Sequence, residues 1–303
     1  MIICGSNSRV ESLLPKQVVA GSSPVSRFVL MLLRIRTLIL FSFLPLFGAN
    51  FIDFEKWEIV ISQESATDAL ITPTDLSLLA KEMLKDCFYN SNWTVRDFLM
   101  ANPKIERRFN FLSLTPSSQE RVHLSDGTSF VDFRIPIRGA LYSLLAPKTG
   151  GGLPLSPIAC PLCGQPWPEG KEIPEGIVPI PIESEETPKY TGVIIDARRL
   201  DLKPSLFPQV LDEEGREVYG PSFVDRDELI QQGMVQYLNS LSAAYASDRA
   251  GNSPALITPL RVSGKNRCDI VISSSDAKRL HSSSQTLKAL RRCRVIIVRS
   301  EEH

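Results

Sequence analysis

The chain has 303 residues, and its 34 Lys and Arg balance its 34 Asp and Glu, so its formal net charge is zero. This balance excludes the basic footprint typical of nucleic-acid-binding proteins. The hydrophobic content of 43% excludes a largely disordered chain. Six cysteines in a chain of this length are too few for a disulfide scaffold.

Residues 31–49 have the layout of a secretory signal peptide. Arg34 and Arg36 precede an apolar run at 38–47, and the small Ala49 suits a cleavage site. The run is shorter than the roughly 20 apolar residues of a membrane span. The alternative is an uncut N-terminal anchor whose arginines reach the membrane surface. We therefore expect the chain to be exported to the periplasm or to an outer-membrane-associated location.

Residues 1–30 precede this signal and show no apolar periodicity. Residues 17–27 resemble the translation of part of a transfer-RNA gene, which suggests that Met31 is the true start and that residues 1–30 are a non-native extension. A disordered tail is the alternative. The remaining residues, 50–303, carry 29 basic and 33 acidic side chains and five of the six cysteines.

Residues 50–146 are predicted to form a first α+β domain. A strand is expected at 57–61, and a helix follows Thr74 because its apolar residues share one face. Thr94 and Asp97 fit the capped start of a second helix. Strands at 121–124 and 129–137 flank Asp126-Gly127, which favours a hairpin. The apolar residues of the first helix are Leu76, Leu79, Ala80, Met83, Leu84 and Cys87.

Residues 147–189 are predicted to be a semi-rigid linker, because prolines at this density disfavour helices and sheet ladders. Residues 190–303 are predicted to form a second α+β domain. Its expected strands are 191–197, 209–212, 216–219, 255–263, 269–273 and 294–299, and its expected helices start at Asp225 and Asp276. The predicted fold class is thus α+β: two small domains joined by a Pro-rich linker, after an N-terminal signal peptide.

The linker contains one compact motif, Cys160-Pro-Leu-Cys163-Gly. Two cysteines at this spacing can direct their sulfurs at one zinc ion, and the glycine permits a tight turn. Structural zinc takes four ligands, and the chain has no second motif of this kind. A local disulfide is the alternative that export allows, and an unpaired relic of a zinc site is a third. A thioredoxin-type redox role is disfavoured because Pro166 and Pro168 oppose the helix that such a motif opens.

The other candidate residues have structural interpretations. Cys268 and Cys293 precede two strands joined by the last predicted helix, so they form a disulfide if those strands are neighbours and two buried thiols otherwise. The acidic residues 212–214 are read as hairpin-turn residues, with a metal site as the alternative. The sequence shows no catalytic constellation and no nucleotide-binding motif. We therefore expect no catalytic and no cofactor-binding residues.

Several strings resemble a known family of bacterial envelope proteins. In the C-terminal block they are residues 190–198, 202–204, 212–220 and 293–298, which resemble the flagellar proteins FlgP and FlgT. In the first block, Ser125-Asp-Gly-Thr and Ile135-Pro-Ile-Arg-Gly139 resemble the FlgP-type lipoprotein domain. Lipoprotein members carry a cysteine at the cleavage site, where this chain has Asn50.

The resemblance implies a non-enzymatic, exported protein that takes part in assembling the cell envelope or the flagellar basal-body rings. Its expected partners are other envelope or ring proteins, including further copies of itself, and not nucleic acid. Membrane contact would occur only through an uncut signal segment. The alternative is a zinc- or disulfide-bearing binding module centred on Cys160 and Cys163.

Overall fold

The computed structural model describes residues 50–64, 71–123, 128–168, 171–174 and 177–300. The predicted extension and signal segment, residues 1–49, and the Asp126-Gly127 turn lie outside these residues. The described part is α+β, with helices and strands mixed along the chain. No helix in it is both long and apolar enough to cross a membrane.

The N-terminal part is built on an antiparallel sheet of four strands in the order β1-β2-β4-β3. The strands are β1 (Phe51–Asp53), β2 (Glu58–Glu64), β3 (Ser118–His123) and β4 (Ser129–Pro136). The hairpin prediction is confirmed, because β3 pairs with β4 across the turn. In the register of β2 with β4, Ile59 lies opposite Ile135 and Ile61 opposite Phe133. This register places one apolar face of the sheet in the core.

Four helices accompany this sheet: α1 (Pro73–Lys85), α2 (Val95–Ala101), α3 (Pro103–Phe111) and α4 (Ala140–Leu145). The predicted first helix is confirmed, and Leu76, Ala80 and Leu84 of its apolar face are buried. The Thr94 and Asp97 capping box is also confirmed, with both reciprocal hydrogen bonds present. Helices α3 and α4 were not predicted.

The C-terminal part contains a parallel sheet of order β10-β14-β7-β11. Its strands are β7 (Val193–Asp196), β10 (Gln236–Leu238), β11 (Ala255–Ile257) and β14 (Val295–Val298). A second sheet, of order β12-β13-β8-β9, contains β8 (Val210–Leu211), β9 (Glu217–Tyr219), β12 (Arg261–Ser263) and β13 (Asp269–Val271). The helices are α5 (Arg226–Gln232), α6 (Leu241–Ala246), α7 (Ser274–His281) and α8 (Ser284–Arg291), with a 3-10 turn at Pro221–Phe223. Strands β5 (Ile158–Ala159) and β6 (Ile180–Pro181) form a separate pair.

Three predicted elements of this part are interrupted. The helix expected from Asp225 ends at Gln232, because Gly233 takes a positive φ of 74° and the chain continues into β10. The Asp225 side chain makes no capping bond. The helix expected from Asp276 divides into α7 and α8, since Ser283 caps a new start by accepting from Thr286 N–H. The strand expected at 255–263 divides into β11 and β12 around Pro259.

The described residues belong to one compact unit. A single apolar cluster extends from Trp57 in the first predicted block to Ile297 in the second. The Trp57 indole N–H donates to the Val235 carbonyl at 3.0 Å, and the Tyr142 hydroxyl donates to the Leu206 carbonyl at 2.6 Å. The two blocks expected as domains therefore share a core, and the Pro-rich segment lies on its surface. The domain boundaries given above remain predictions.

Candidate functional site

The predicted cysteine motif occupies the tip of the Pro-rich segment. Strand β5 leads into it and pairs antiparallel with β6. Beyond the motif the chain turns back, and the Trp167 N–H donates to the Ile158 carbonyl at 2.8 Å. An isolated bridge joins Ala159 to Pro166. These bonds close residues 158–168 into a small loop. The described residues of this loop form no helix after the cysteines, unlike a thioredoxin-type motif.

Within this loop the backbone forms a tight turn. The Gly164 N–H donates to the Cys160 carbonyl at 2.8 Å, and the Cys160 N–H donates to the Gln165 carbonyl at 2.9 Å. Gly164 has a φ of 71°, in the left-handed region that favours glycine. The prediction that this glycine permits a tight turn after Cys163 is therefore confirmed.

The turn directs hydrogen-bond donors at one sulfur. The backbone N–H groups of Leu162 and then Cys163 lower the pKa of the Cys160 thiol, and the Cys163 thiol adds a hydrogen bond of its own. Such donors stabilise a thiolate, which is the form that ligates metals and attacks electrophiles. Cys160 is partly exposed and Cys163 is exposed. The turn therefore presents two adjacent, accessible sulfurs.

The remaining described cysteines are in a different environment. Burial raises the pKa of Cys87 to about 12, of Cys268 to about 12 and of Cys293 to about 11. All five described cysteines are free thiols. Cys268 and Cys293 precede strands β13 and β14, which lie in different sheets. Of the two alternatives, a disulfide and two buried thiols, the second is therefore confirmed. Cys268 and Cys293 are buried in the core, and Cys87 packs half-buried against the apolar cluster.

The cysteine pair supplies only part of a metal coordination sphere. Among the described residues, no group of three or more His, Cys, Asp or Glu side chains is placed to hold a metal ion. Two thiolates are half of the four ligands of a structural zinc site. Zinc at Cys160 and Cys163 thus requires ligands from elsewhere, whereas a local disulfide would require none.

The acidic residues 212–214 form a turn, as the sequence predicts. Asp212 is fully buried. Burial raises its pKa, but hydrogen bonds from Arg216 and from the Glu214 N–H outweigh that effect and the net pKa is lowered. Glu213 accepts the Ser274 N–H at 2.8 Å and so caps α7. These carboxylates are satisfied by protein donors and serve the fold.

Two polar side chains with important structural roles were not identified from the sequence. Arg249 donates to four backbone carbonyls, at distances from 2.6 to 3.1 Å, those of Gln232, Gly233, Met234 and Cys293. His281 is fully buried, with Nε2 at 2.7 Å from the Val218 carbonyl and Nδ1 accepting the Leu155 N–H at 3.0 Å. Burial lowers the pKa of His281 to about 4, so the ring is neutral. Sequence spacing carries no signal for either role, because all their partners are backbone groups distant along the chain.

A cleft of about 570 Å³ lies at the carboxyl ends of β10 and β14. Its lining includes Asp53, Tyr237 and Arg299. Asp53 accepts two N–H groups of its own turn, and the Tyr237 hydroxyl bonds the Ser205 backbone. These polar groups are used by the fold, and the cleft offers no paired nucleophile and base.

The comparison with known families concerns the C-terminal part. Residues 192–301 match a family model described as Treponema pallidum Tp0624, second domain. The match covers a little over a third of the chain and includes the whole parallel sheet, but not the cysteine turn. No curated protein matches the chain. The resemblance to FlgP and FlgT stays a prediction.

Proposed function

We propose that the protein is a non-enzymatic component of the bacterial cell envelope that works by binding other subunits. The proposal joins the signal-like segment at 31–49 to the resemblance to FlgP and FlgT. In it, the protein is exported to the periplasm or the outer membrane and contributes to an assembly related to flagellar basal-body rings. Its partners are envelope or ring proteins, including further copies of itself.

The observation that carries this proposal is the open edge of the N-terminal sheet. Strand β3 is the last strand of that sheet, and β4 is its only neighbour among the described strands. Five of its six residues are exposed, and the sixth, Val122, is partly exposed. An edge of this kind can receive an extended segment of a partner as an added strand. Its polar side chains, which include Glu120 and Arg121, disfavour unspecific pairing.

Cell fractionation combined with site-specific photocrosslinking tests the proposal. A photoreactive residue replaces Gln119 on β3, and the same residue at the exposed turn position Glu214 is the matched control. We expect the chain in the envelope fraction, with crosslinks to itself or to an envelope protein from position 119 only. Recovery in the cytoplasm, or equal crosslinking from both positions, would contradict the proposal.

A second candidate function is a zinc- or disulfide-bearing binding module at Cys160 and Cys163. The backbone N–H groups that favour the Cys160 thiolate support it. Metal analysis and thiol titration of the purified chain test this function. If the purified chain contains no bound zinc and no disulfide between these two residues, this second function is ruled out.

A further inference from the structure

The turn of residues 158–168 combines three properties that together specify a type of partner. The first is its pair of accessible thiols, which stand three positions apart in one tight turn that the Gly164 N–H closes by donating to the Cys160 carbonyl. Two cysteines separated by two residues have the ligand spacing of structural zinc sites. The pair is therefore arranged as two ligands of one metal ion.

The second property is the lack of further ligands in the part of the chain that the structure describes. The described residues offer no third Cys, His, Asp or Glu beside the pair. His281, a histidine that contacts this segment, already uses both ring nitrogens. Cys268 and Cys293 are buried and Cys87 packs half-buried against the apolar cluster, so moving one of them to the turn would disrupt the packing. The missing ligands must come from outside the described part of this chain.

The third property is the surface around the pair. Residues 149–168 contain no Asp, Glu, Lys or Arg. The Leu162 side chain, between the two cysteines, is 85% exposed. Other exposed apolar residues of the same segment are Leu153, Val178, Ile180 and Ile182. Beyond this stretch, the exposed Lys171 lies beside the turn, since its carbonyl accepts the Trp167 indole N–H at 3.0 Å. The uncharged stretch itself can meet an identical stretch without like-charge repulsion, and the contact would bury apolar area.

We propose that Cys160 and Cys163 form half of a zinc site that the same two residues of a second copy complete. A two-fold axis through the ion turns two sulfurs into four, which gives the tetrahedral four-thiolate set that structural zinc prefers. Each coordinating thiol releases its proton to solvent when zinc binds, and no electrons are transferred. The zinc then joins two chains tip to tip, away from the shared core. This proposal deepens the second candidate function and is independent of the envelope assignment.

Zinc titration of the full chain tests the proposal directly. The chain is reduced, freed of metal by a chelator and titrated with Zn²⁺, while analytical ultracentrifugation reports its mass. We expect saturation at one zinc for two chains, an approximately two-fold rise in mass, and reversal by the chelator. Cobalt in place of zinc should give the absorption bands of tetrahedral thiolate coordination.

Two variants and one control separate the proposal from unspecific effects. Cys163→Ser should lose both metal binding and the zinc-dependent dimer. Leu162→Asp keeps both thiols but puts like charges at the contact, so it should weaken the dimer. Cys87→Ser should behave as the unmodified chain, because Cys87 lies in the apolar cluster around α1.

Four results would overturn the proposal. They are the absence of zinc binding, one zinc in each monomer, a dimer that neither zinc nor Cys163→Ser affects, and a Cys160–Cys163 disulfide in protein isolated from cells without reductant. None of them bears on envelope location or on crosslinking at β3. The two proposals can therefore fail separately.

Discussion

The core and the Pro-rich segment are stabilised in different ways. In the core, the buried Trp57 and the partly buried Arg249 bond backbone groups that lie far away along the chain. The Pro-rich segment is fixed to the rest of the chain near both of its ends. On the first side, Gly150 and Gly152 donate to the Pro221 and Ser222 carbonyls, and Leu155 and Ser156 bond His281. On the second side, Glu183 accepts the Ser284 N–H. Between these places its tip is held by its own backbone bonds and stays exposed. Changes in the core should therefore affect global stability, and changes at the tip should affect local chemistry.

The largest expected effect is that of Trp57→Ala. Trp57 is 1% exposed and bonds Val235, so its removal leaves a cavity and an unpaired carbonyl between the two blocks. We expect a loss of about 4 kcal/mol in the free energy of unfolding. Urea unfolding followed by fluorescence and by circular dichroism should show one shared transition. The control is Trp93→Ala, which removes a 40% exposed ring and should cost well under half as much. Two separate transitions would contradict a shared core.

The second effect is a pH dependence of the free energy of unfolding. Two buried groups, His281 and Asp269, contribute to it with opposite signs. The folded-state pKa of His281 is lowered to about 4, chiefly by burial, so the unfolded chain binds its proton more tightly and stability falls as the pH drops from 6.5 towards 4. The pKa of Asp269 is raised to about 6, chiefly by burial, so the folded chain binds its proton more tightly and stability rises as the pH drops from 6 towards 3.8. Each contribution is about 3 kcal/mol at its limit.

Single variants separate these two contributions. In Asp269→Asn, unfolding experiments between pH 6.5 and 4 should show a steeper loss of stability than in the unmodified chain. In His281→Gln, the same acidification should cost less than in the unmodified chain. Parallel stability profiles for all three proteins would show that neither group titrates as described.

Sequence patterns predicted those features of the fold that depend on neighbouring residues. The capping box at Thr94, the strands on either side of Gly215 and the hairpin of β3 with β4 were all predicted, because each depends on residues a few positions apart. The break at Gly233 was missed because the apolar spacing on both sides fits a helix as well as a buried strand. The shared core was missed because Trp57 and Val235 are 178 positions apart.

The part of the candidate site that depends on neighbouring residues was also predictable from the sequence. The spacing of Cys160 and Cys163, with Gly164 after them, indicated a turn with two sulfurs. The N–H groups around the Cys160 sulfur, and the lack of further ligands among the described residues, depend on three-dimensional placement, which the spacing does not specify. The neutral, buried state of His281 likewise depends on partners from two distant segments.

A smaller effect on stability is expected at the tip. Gly164→Ala places a side chain at a φ of 71°, which costs about 1 kcal/mol locally. Because the tip lies outside the shared core, the free energy of global unfolding should change by less than this amount. The looser turn should raise the pKa of the Cys160 thiol, which a pH series of alkylation rates would measure. Gly164→Asn is the control, since asparagine tolerates this backbone region better. A global loss as large as that of Trp57→Ala would show that the tip is part of the core.

The most direct test of this account is alkylation of the folded, reduced chain with and without Zn²⁺, with the modified residues identified by peptide mass mapping. We expect Cys160 and Cys163 to react rapidly without zinc and to be protected by it, while Cys87, Cys268 and Cys293 react only after unfolding. Equal labelling of all five thiols, or no protection of the pair by zinc, would contradict the distinction between an accessible metal-binding turn and a closed core.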